Sequence, residues 1–261
     1  SREDPRPALA LGLTAADNPH FARAVTNRLW HAMLGRGLVE PIDDFRATNR
    51  ATHPELLNQL ANDFVAHNFD FPHTLRMIAT SATYARSSRS TEKNASDSTY
   101  YSHGLRNPQR AEVLLDNIRL VTDVKPEKQR AAAATRAINL PGPAIVDPEL
   151  STLGQCDRKS GCDSSATSGN ISRQLALLNG ELLNKRIHSP RGRLSRLIAA
   201  KKTNDEIIRE IYFLALSRPP SDREAAYWAK QLATSSPQER RDRLEDFLWS
   251  VLNCDEFTHR Y

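Results

Sequence analysis

The amino-acid sequence predicts an all-α fold, an irregular multi-helix bundle of about nine helices, and three observations carry that prediction. Apolar residues recur at three- and four-residue spacing in one segment after another, almost no stretch alternates apolar with polar over the length of a strand, and only 10 of 261 residues are glycine. The first clear helix starts with Asn18 as N-cap and Pro19 at the first helical position. It carries a stripe through Phe21, Val25, Leu29 and Met33, widened by Trp30 and Leu34, and Gly35 is placed to stop it. A loop with Gly35, Gly37, Pro41 and Asp43-Asp44 leads to a second start, where either Thr52 and Glu55 form a capping box or His53 caps directly before Pro54. Leu56, Leu57, Leu60, Phe64 and Val65 supply the apolar face there. Phe71-Pro72 opens a third helix through Leu75, Ile78 and Ala82, and the Ser-, Thr- and Asn-rich run from Ser87 to Tyr100 reads as a flexible surface loop.

Asn107-Pro108 starts a helix with Val113, Leu114, Ile118 and Val121, and Pro126 an Ala-rich one that ends before Pro141. From 140 to 170 the periodicity disappears among Pro141, Gly142, Pro143, Pro148, Gly154, Gly161 and Gly169, and so long a loop marks function or mobility. Helix resumes with a stripe through Ile171, Leu175, Leu178 and Leu182. Leu194, Leu197 and Ile198 mark a short helix after Gly192, and Asn204 caps another with Ile207, Ile208, Ile211, Tyr212 and Leu214, which stops at Arg218-Pro219-Pro220. Ser221 with Glu224 and Ser236 with Glu239 read as capping boxes that launch Tyr227, Trp228 and Leu232, then Leu244, Phe247, Leu248 and Val251. The chain thus divides into an N-terminal helical subdomain, 1–139, an irregular linker, 140–170, and a C-terminal helical subdomain, 171–261.

A net charge of +5 and a pI near 9.2 belong to an ordinary soluble composition. A chain of this length buries about 70% of its unfolded surface and needs no disulfide framework. Three cysteines and no run of eighteen apolar residues exclude disulfide scaffolds and membrane spans, and Ser1 opens no basic-then-apolar signal pattern. Motifs for covalent haem, HExxH zinc, phosphate loops and nucleophile elbows are all missing, so standard hydrolase and nucleotide chemistry is not expected. Of the 36 basic residues only 8 are Lys, which reflects either a genome rich in G and C or a surface that favours planar anions.

Three groups remain as site candidates. Asn27 and His31 lie one helical turn apart, and with Asp44 and His53 they could converge on a pocket that orients a substrate or moves a proton; equally, they could be a buried polar network with Asp44 paired to Arg28 and His53 only capping. Lys185, Arg186, Arg191, Arg193, Arg196, Lys201 and Lys202 fall in a stretch with no acidic residue, suited to tracking a polyanion or to a solvated basic face neutralised by a neighbouring helix. Cys156 and Cys162 sit in a polar irregular stretch, where a small-loop disulfide is the preferred reading over free thiols or a metal, since zinc needs two more ligands that no spacing supplies. No metal site is expected. Cys254, between Leu252 and Phe257, reads as a lone core thiol.

Ten ordered runs resemble a C-terminal domain of large planctomycete secreted proteins with c-type cytochrome modules, domain of unknown function 1553. They are Asn18-Pro19-His20-Phe21-Ala22-Arg23, Asn27-Arg28-Leu29-Trp30, Gly35-Arg36-Gly37-Leu38-Val39, His53-Pro54-Glu55-Leu56-Leu57, Thr80-Ser81-Ala82-Thr83-Tyr84, Ala111-Glu112-Val113-Leu114-Leu115-Asp116, Arg136-Ala137-Ile138-Asn139-Leu140-Pro141, Leu177-Leu178-Asn179-Gly180, Leu216-Ser217-Arg218-Pro219-Pro220 and Leu252-Asn253-Cys254-Asp255-Glu256-Phe257. The resemblance implies an extracytoplasmic setting, periplasmic or secreted, which favours the disulfide and makes the chain a C-terminal portion of something longer. It places haem only on upstream modules, with no cofactor here, and it links the family to polysaccharide use by context. Where members carry a Cys-x-Cys-Glu-Arg run, this chain has Cys162-Asp163-Ser164-Ser165-Ala166, which puts a shared metal site in doubt.

The leading expectation is therefore a non-catalytic interaction or scaffold domain that docks upstream modules of the same protein or a companion secreted protein. Alternatives are an enzyme acting on carbohydrate or sulfated glycan, and binding of acidic or sulfated polysaccharide through residues 185–202. No nucleic-acid partner is expected, because aromatics for stacking on bases are missing from the basic stretch.

Overall fold

The computed structural model describes residues 4–15, 17–124, 136–140, 148–155, 171–233 and 236–260, and it is mostly helical. Two compact units divide at 106/107. The sequence pattern places a division at 140–170 instead, but the described residues on both sides of that stretch, from Leu114 and Ala137 to Leu183, belong to one hydrophobic core. The described part of that stretch carries Leu150 and Leu153 of the same core.

In the first unit α1 (Arg6–Leu13) buries none of its residues, and α2 (Pro19–Leu34), α3 (Pro54–Ala66) and α4 (Phe71–Ala79) pack together. The Asn18 side chain caps α2 by accepting from the backbone of His20 and Phe21, and Gly35 ends it at φ 84°, a left-handed conformation open to glycine at little steric cost. The most buried line of α2 is Ala22, Thr26, Asn27 and Trp30, one position round from the Phe21–Val25–Leu29–Met33 stripe. Apolar periodicity misses that line because two of its members are polar. Thr26 Oγ1 donates to the Ala22 carbonyl at 2.8 Å and can therefore be buried at little cost. Asp70, which the sequence reading passes over, caps α4 by accepting from His73 N at 3.0 Å. Leu38, Val39, Leu57, Leu60, Ile78 and Tyr101 close the main core around Trp30, and Phe64 anchors a second cluster with Ala22 and Ala61.

The second unit centres on α5 (Ala111–Thr122), whose Leu114, Leu115, Ile118 and Val121 have no exposed surface. Asn107-Pro108 does not start that helix. It forms β1, paired antiparallel with β2 (His259–Arg260), and Gln109 N donates to the Thr258 carbonyl, which holds the chain extended until Arg110 begins α5. Around α5 lie a 3-10 turn (Ala137–Asn139), α6 (Pro148–Thr152), α7 (Ile171–Asn179), α8 (Glu181–Ile187), α9 (Arg193–Ala199), α10 (Asn204–Leu216), α11 (Asp222–Gln231), α12 (Pro237–Asn253) and α13 (Asp255–Thr258). Thr203, and not Asn204, caps α10 in a full capping box with Glu206; Ser221 and Glu224 form a second on α11, and Ser236 caps α12. Each such cap contributes about 1 kcal/mol. No described helix is long and apolar enough to cross a membrane.

The expected stripe through Ile171, Leu175, Leu178 and Leu182 is broken. Gly180 separates α7 from α8, and a Cβ there would meet the Ala176 carbonyl oxygen at 2.1 Å. The break turns Leu177 and Leu183 into the core and leaves Ile171 (69% exposed), Leu175 (55%) and Leu178 (44%) facing out.

Candidate functional site

The first unit contains a cleft of about 530 Å³ lined by residues that include Trp30, His53, Glu55, Arg86, Tyr100 and Tyr101. His53 is the N-cap of α3 but makes no side-chain cap bond, so its ring is left to the cleft, 6.0 Å from the Tyr100 ring and 6.3 Å from that of Tyr101. Thr52 forms no capping box: its hydroxyl donates to the Leu38 carbonyl at 3.0 Å. Tyr100 ends the segment expected to be a flexible loop, and Tyr101 follows it directly. Asp97 accepts from the backbone N–H groups of Thr99, Tyr100 and Ser102 at 2.8–3.0 Å, and the nearby Ser102 side chain together with these amides holds its carboxyl well below the usual range. Arg86 Nη1 donates to the Tyr101 carbonyl at 2.6 Å, and the Tyr101 hydroxyl donates to the Gly37 carbonyl at 2.8 Å. Burial pushes that hydroxyl up to about 12, so it stays protonated. Tyr100 is the opposite case, 65% exposed.

Of the four residues proposed as a pocket, only His53 lines this cleft. Asn27 is fully buried and committed: its amide donates to the carbonyls of Val39 (3.0 Å) and Ile42 (2.8 Å), and its oxygen accepts from Val39 N at 3.0 Å. It ties α2 to the following loop. Gly37 lies against it, since a Cβ there would approach both terminal amide atoms to 3.0 Å. His31 Nδ1 lies 3.0 Å from Glu40 Oε1, which also accepts from Gly37 N at 2.5 Å. Asp44 pairs with Arg46, whose hydrogen bond to it is the main cause of its lowered carboxyl pKa, and Arg28 pairs with Asp43 and not with Asp44.

The basic stretch is largely committed as well. Lys185 pairs with Glu181 and Lys202 with Glu206, each one turn away. Arg186 joins Arg119 on Glu149, each at 2.6 Å. Arg193 donates to the Val121 and Leu120 carbonyls at 3.0 and 3.1 Å and reaches Glu210 at 3.3 Å, while Arg196 binds Asp123 and the Arg191 carbonyl. Lys201, exposed at φ 56°, follows α9. Neutralisation comes from the end of α5, from α6, from α10 and, for Lys185, from the first turn of α8.

Cys156 and Cys162 lie outside the described residues. Cys254 is a free, half-buried thiol packed on the second core, and burial raises its pKa. Two features escaped the sequence reading. One is the exposed α7 stripe. The other is a convergence of Asp63, His67 and His73, whose Asp-x-x-x-His spacing on one helix face was visible, whereas the fold was needed to bring His73 to it.

A family model described as "PSD1: Protein of unknown function (DUF1553)" matches residues 5–232. No match is found among curated proteins or among solved structures.

Proposed function

The chain belongs to the DUF1553 family of unknown function, and from that premise we propose that it is a helical docking domain. Its partner is an upstream cytochrome-type or helical module of the same secreted protein, or a companion protein. The observation that carries this reading is the α7 stripe: Ile171, Leu175 and Leu178, spaced i, i+4, i+7, stand in solvent on one face. Burying that face against a second apolar surface gains about 25 cal/mol per Å². α1 repeats the feature in the first unit, with Leu9 and Leu13 exposed one turn apart. The reading carries with it an extracytoplasmic setting and haem on upstream modules, with none on this chain.

The test places a photo-reactive phenylalanine analogue at Leu175, and in parallel at the exposed polar Gln238 of α12, in the full-length product expressed in its own host. Cross-links to an upstream module or companion from Leu175 alone are expected. Equal labelling from both positions, or none from Leu175, overturns the reading.

A second reading, binding and processing of carbohydrate or sulfated glycan, is favoured by the cleft. Its exposed Tyr100 ring offers a face for a sugar, with His53, Glu55 and Arg86 among the polar groups of the lining.

A further inference from the structure

The geometry points to a binding site for a divalent transition-metal ion of the zinc class at Asp63, His67 and His73, none of which lines the cleft. One ligand atom from each of the three side chains lies within 4.8 Å of the other two. Asp63 Oδ2 is 2.9 Å from His73 Nε2, and Asp63 Oδ1 is 3.3 Å from His67 Nδ1. Four bonds of about 2.0–2.1 Å in tetrahedral array place neighbouring ligand atoms about 3.3 Å apart, so the Asp63–His73 gap stands near the spacing an ion requires, while His67 faces the other oxygen of the same carboxylate. The two imidazoles stack at 3.8 Å and 18°, and because an ion lies in the plane of each ring that binds it, the exposed His67 ring turns out of the stack to take it, giving up the Asp63 carbonyl 2.9 Å from its Nδ1.

The scaffold holds these groups in register. Asp63 lies in the last turn of α3 and His67 is that helix's C-cap, one turn on; His73 lies in the first turn of α4. The joint between them turns through two left-handed residues, Asn68 (φ 52°) and Phe69 (φ 60°). A bulky residue is uncommon in that conformation. Phe69 is kept there by its N–H donating to the Phe64 carbonyl at 2.8 Å and by its ring packing edge-on to Phe64 and Phe21 at 5.3 and 5.7 Å. Core contacts therefore set the backbone positions of the three residues before any ion arrives.

The donor set selects the class of ion. Two imidazoles and one carboxylate, with no thiolate, suit borderline divalent ions and not calcium or magnesium, which take oxygen shells. His67 is exposed and the other two are partly so, which leaves the remaining coordination positions to water.

The test titrates Zn(II) into the full chain against a chelating dye and records the absorption of Co(II) bound in its place. One ion bound at this cluster is expected, with affinity falling by about tenfold or more in each of His67→Ala, His73→Ala and Asp63→Asn. The Co(II) spectrum should lack a thiolate charge-transfer band, which separates this site from any at the cysteines. His67 is exposed, so His67→Ala leaves packing intact, and its melting curve without metal should match the parent. Absence of binding, binding unchanged in His67→Ala and His73→Ala, or a thiolate band overturns the inference.

Discussion

Replacing Asn27 by alanine tests the claim that this residue is a structural clasp and not a substrate-orienting group. The substitution removes three buried hydrogen bonds, two donated to the Val39 and Ile42 carbonyls and one accepted from Val39 N. At a net value of about 1 kcal/mol each, with the Val39 N–H left buried and unpaired, the loss comes to about 3 kcal/mol. That is a large part of the 5–15 kcal/mol of a typical domain. The chain has three tryptophans and only Trp30 lies in the first unit, so urea unfolding in a background with Trp228→Phe and Trp249→Phe reports this unit alone. Asn27→Asp adds a pH signature. Its carboxylate would face two carbonyl oxygens, which raises its folded pKa; the protonated form can still donate to one of them. The variant's deficit is therefore smallest below about pH 3.9, where the carboxyl is protonated in both states, and grows as pH rises through the raised value. A loss below about 1 kcal/mol in Asn27→Ala, or a deficit in Asn27→Asp that shrinks as pH rises, would refute the clasp.

Arg218 bridges Glu224 and Glu256 at 2.7–2.9 Å, and hydrogen bonding to Arg218 first of all holds the Glu224 carboxyl down to about 2. A lowered folded pKa means stability present above the ordinary carboxylate range and lost as pH falls toward 2. After solvent screening this amounts to about 1 kcal/mol, and Arg218→Met should flatten the acid limb of a urea-midpoint profile. On heparin the chain should elute no later than a control of equal net charge; late, steeply salt-dependent elution would restore residues 185–202 as a polyanion track. Tyr100→Ala should abolish any oligosaccharide binding seen by calorimetry while leaving the melting curve unchanged, because the ring is exposed.

What the sequence disclosed and what it hid divide by range of interaction. Caps are local: Asn18 before Pro19, Ser221 with Glu224 and Gly35 after α2 could all be read from neighbours in the chain. Apolar faces were legible on α3, α10 and α12, where periodicity and burial agree. They failed on α7, because the stripe continued across Gly180 in sequence but not in space. At the cleft, His53 could be singled out, but Tyr100 and Tyr101 reach it through a loop ordered by Asp97 and Arg86, and no spacing rule announces such a loop. Asp63 and His67 share a readable i, i+4 face; His73 joins them only because Asn68 and Phe69 turn left-handed, a geometry set by the Phe64 packing.

The same distinction accounts for the arginines. The stretch from 185 to 202 looks like an unbalanced basic patch only when charge is counted along the chain, for its acceptors lie at distant positions: Glu149, Asp123 and Glu210, and the last carbonyls of α5. Those carbonyls have no partner within their own helix, and a cation at a helix C-terminus is favoured by the dipole as well. Arg193 serves two of them and a carboxylate at once, which its rigid fork allows and which a lysine ammonium, a single point on a flexible stem, matches poorly. Arg240 does the same for Asn204 Oδ1 and the Lys202 carbonyl, and Arg218 for two carboxylates. A fold of short helices leaves many helix ends to be satisfied, and multi-acceptor arginines meet that need wherever a neighbouring element passes close by. Whatever the codon usage behind 28 arginines against 8 lysines, Arg186, Arg193 and Arg196 join element to element, so their charge belongs to the architecture before it belongs to any ligand.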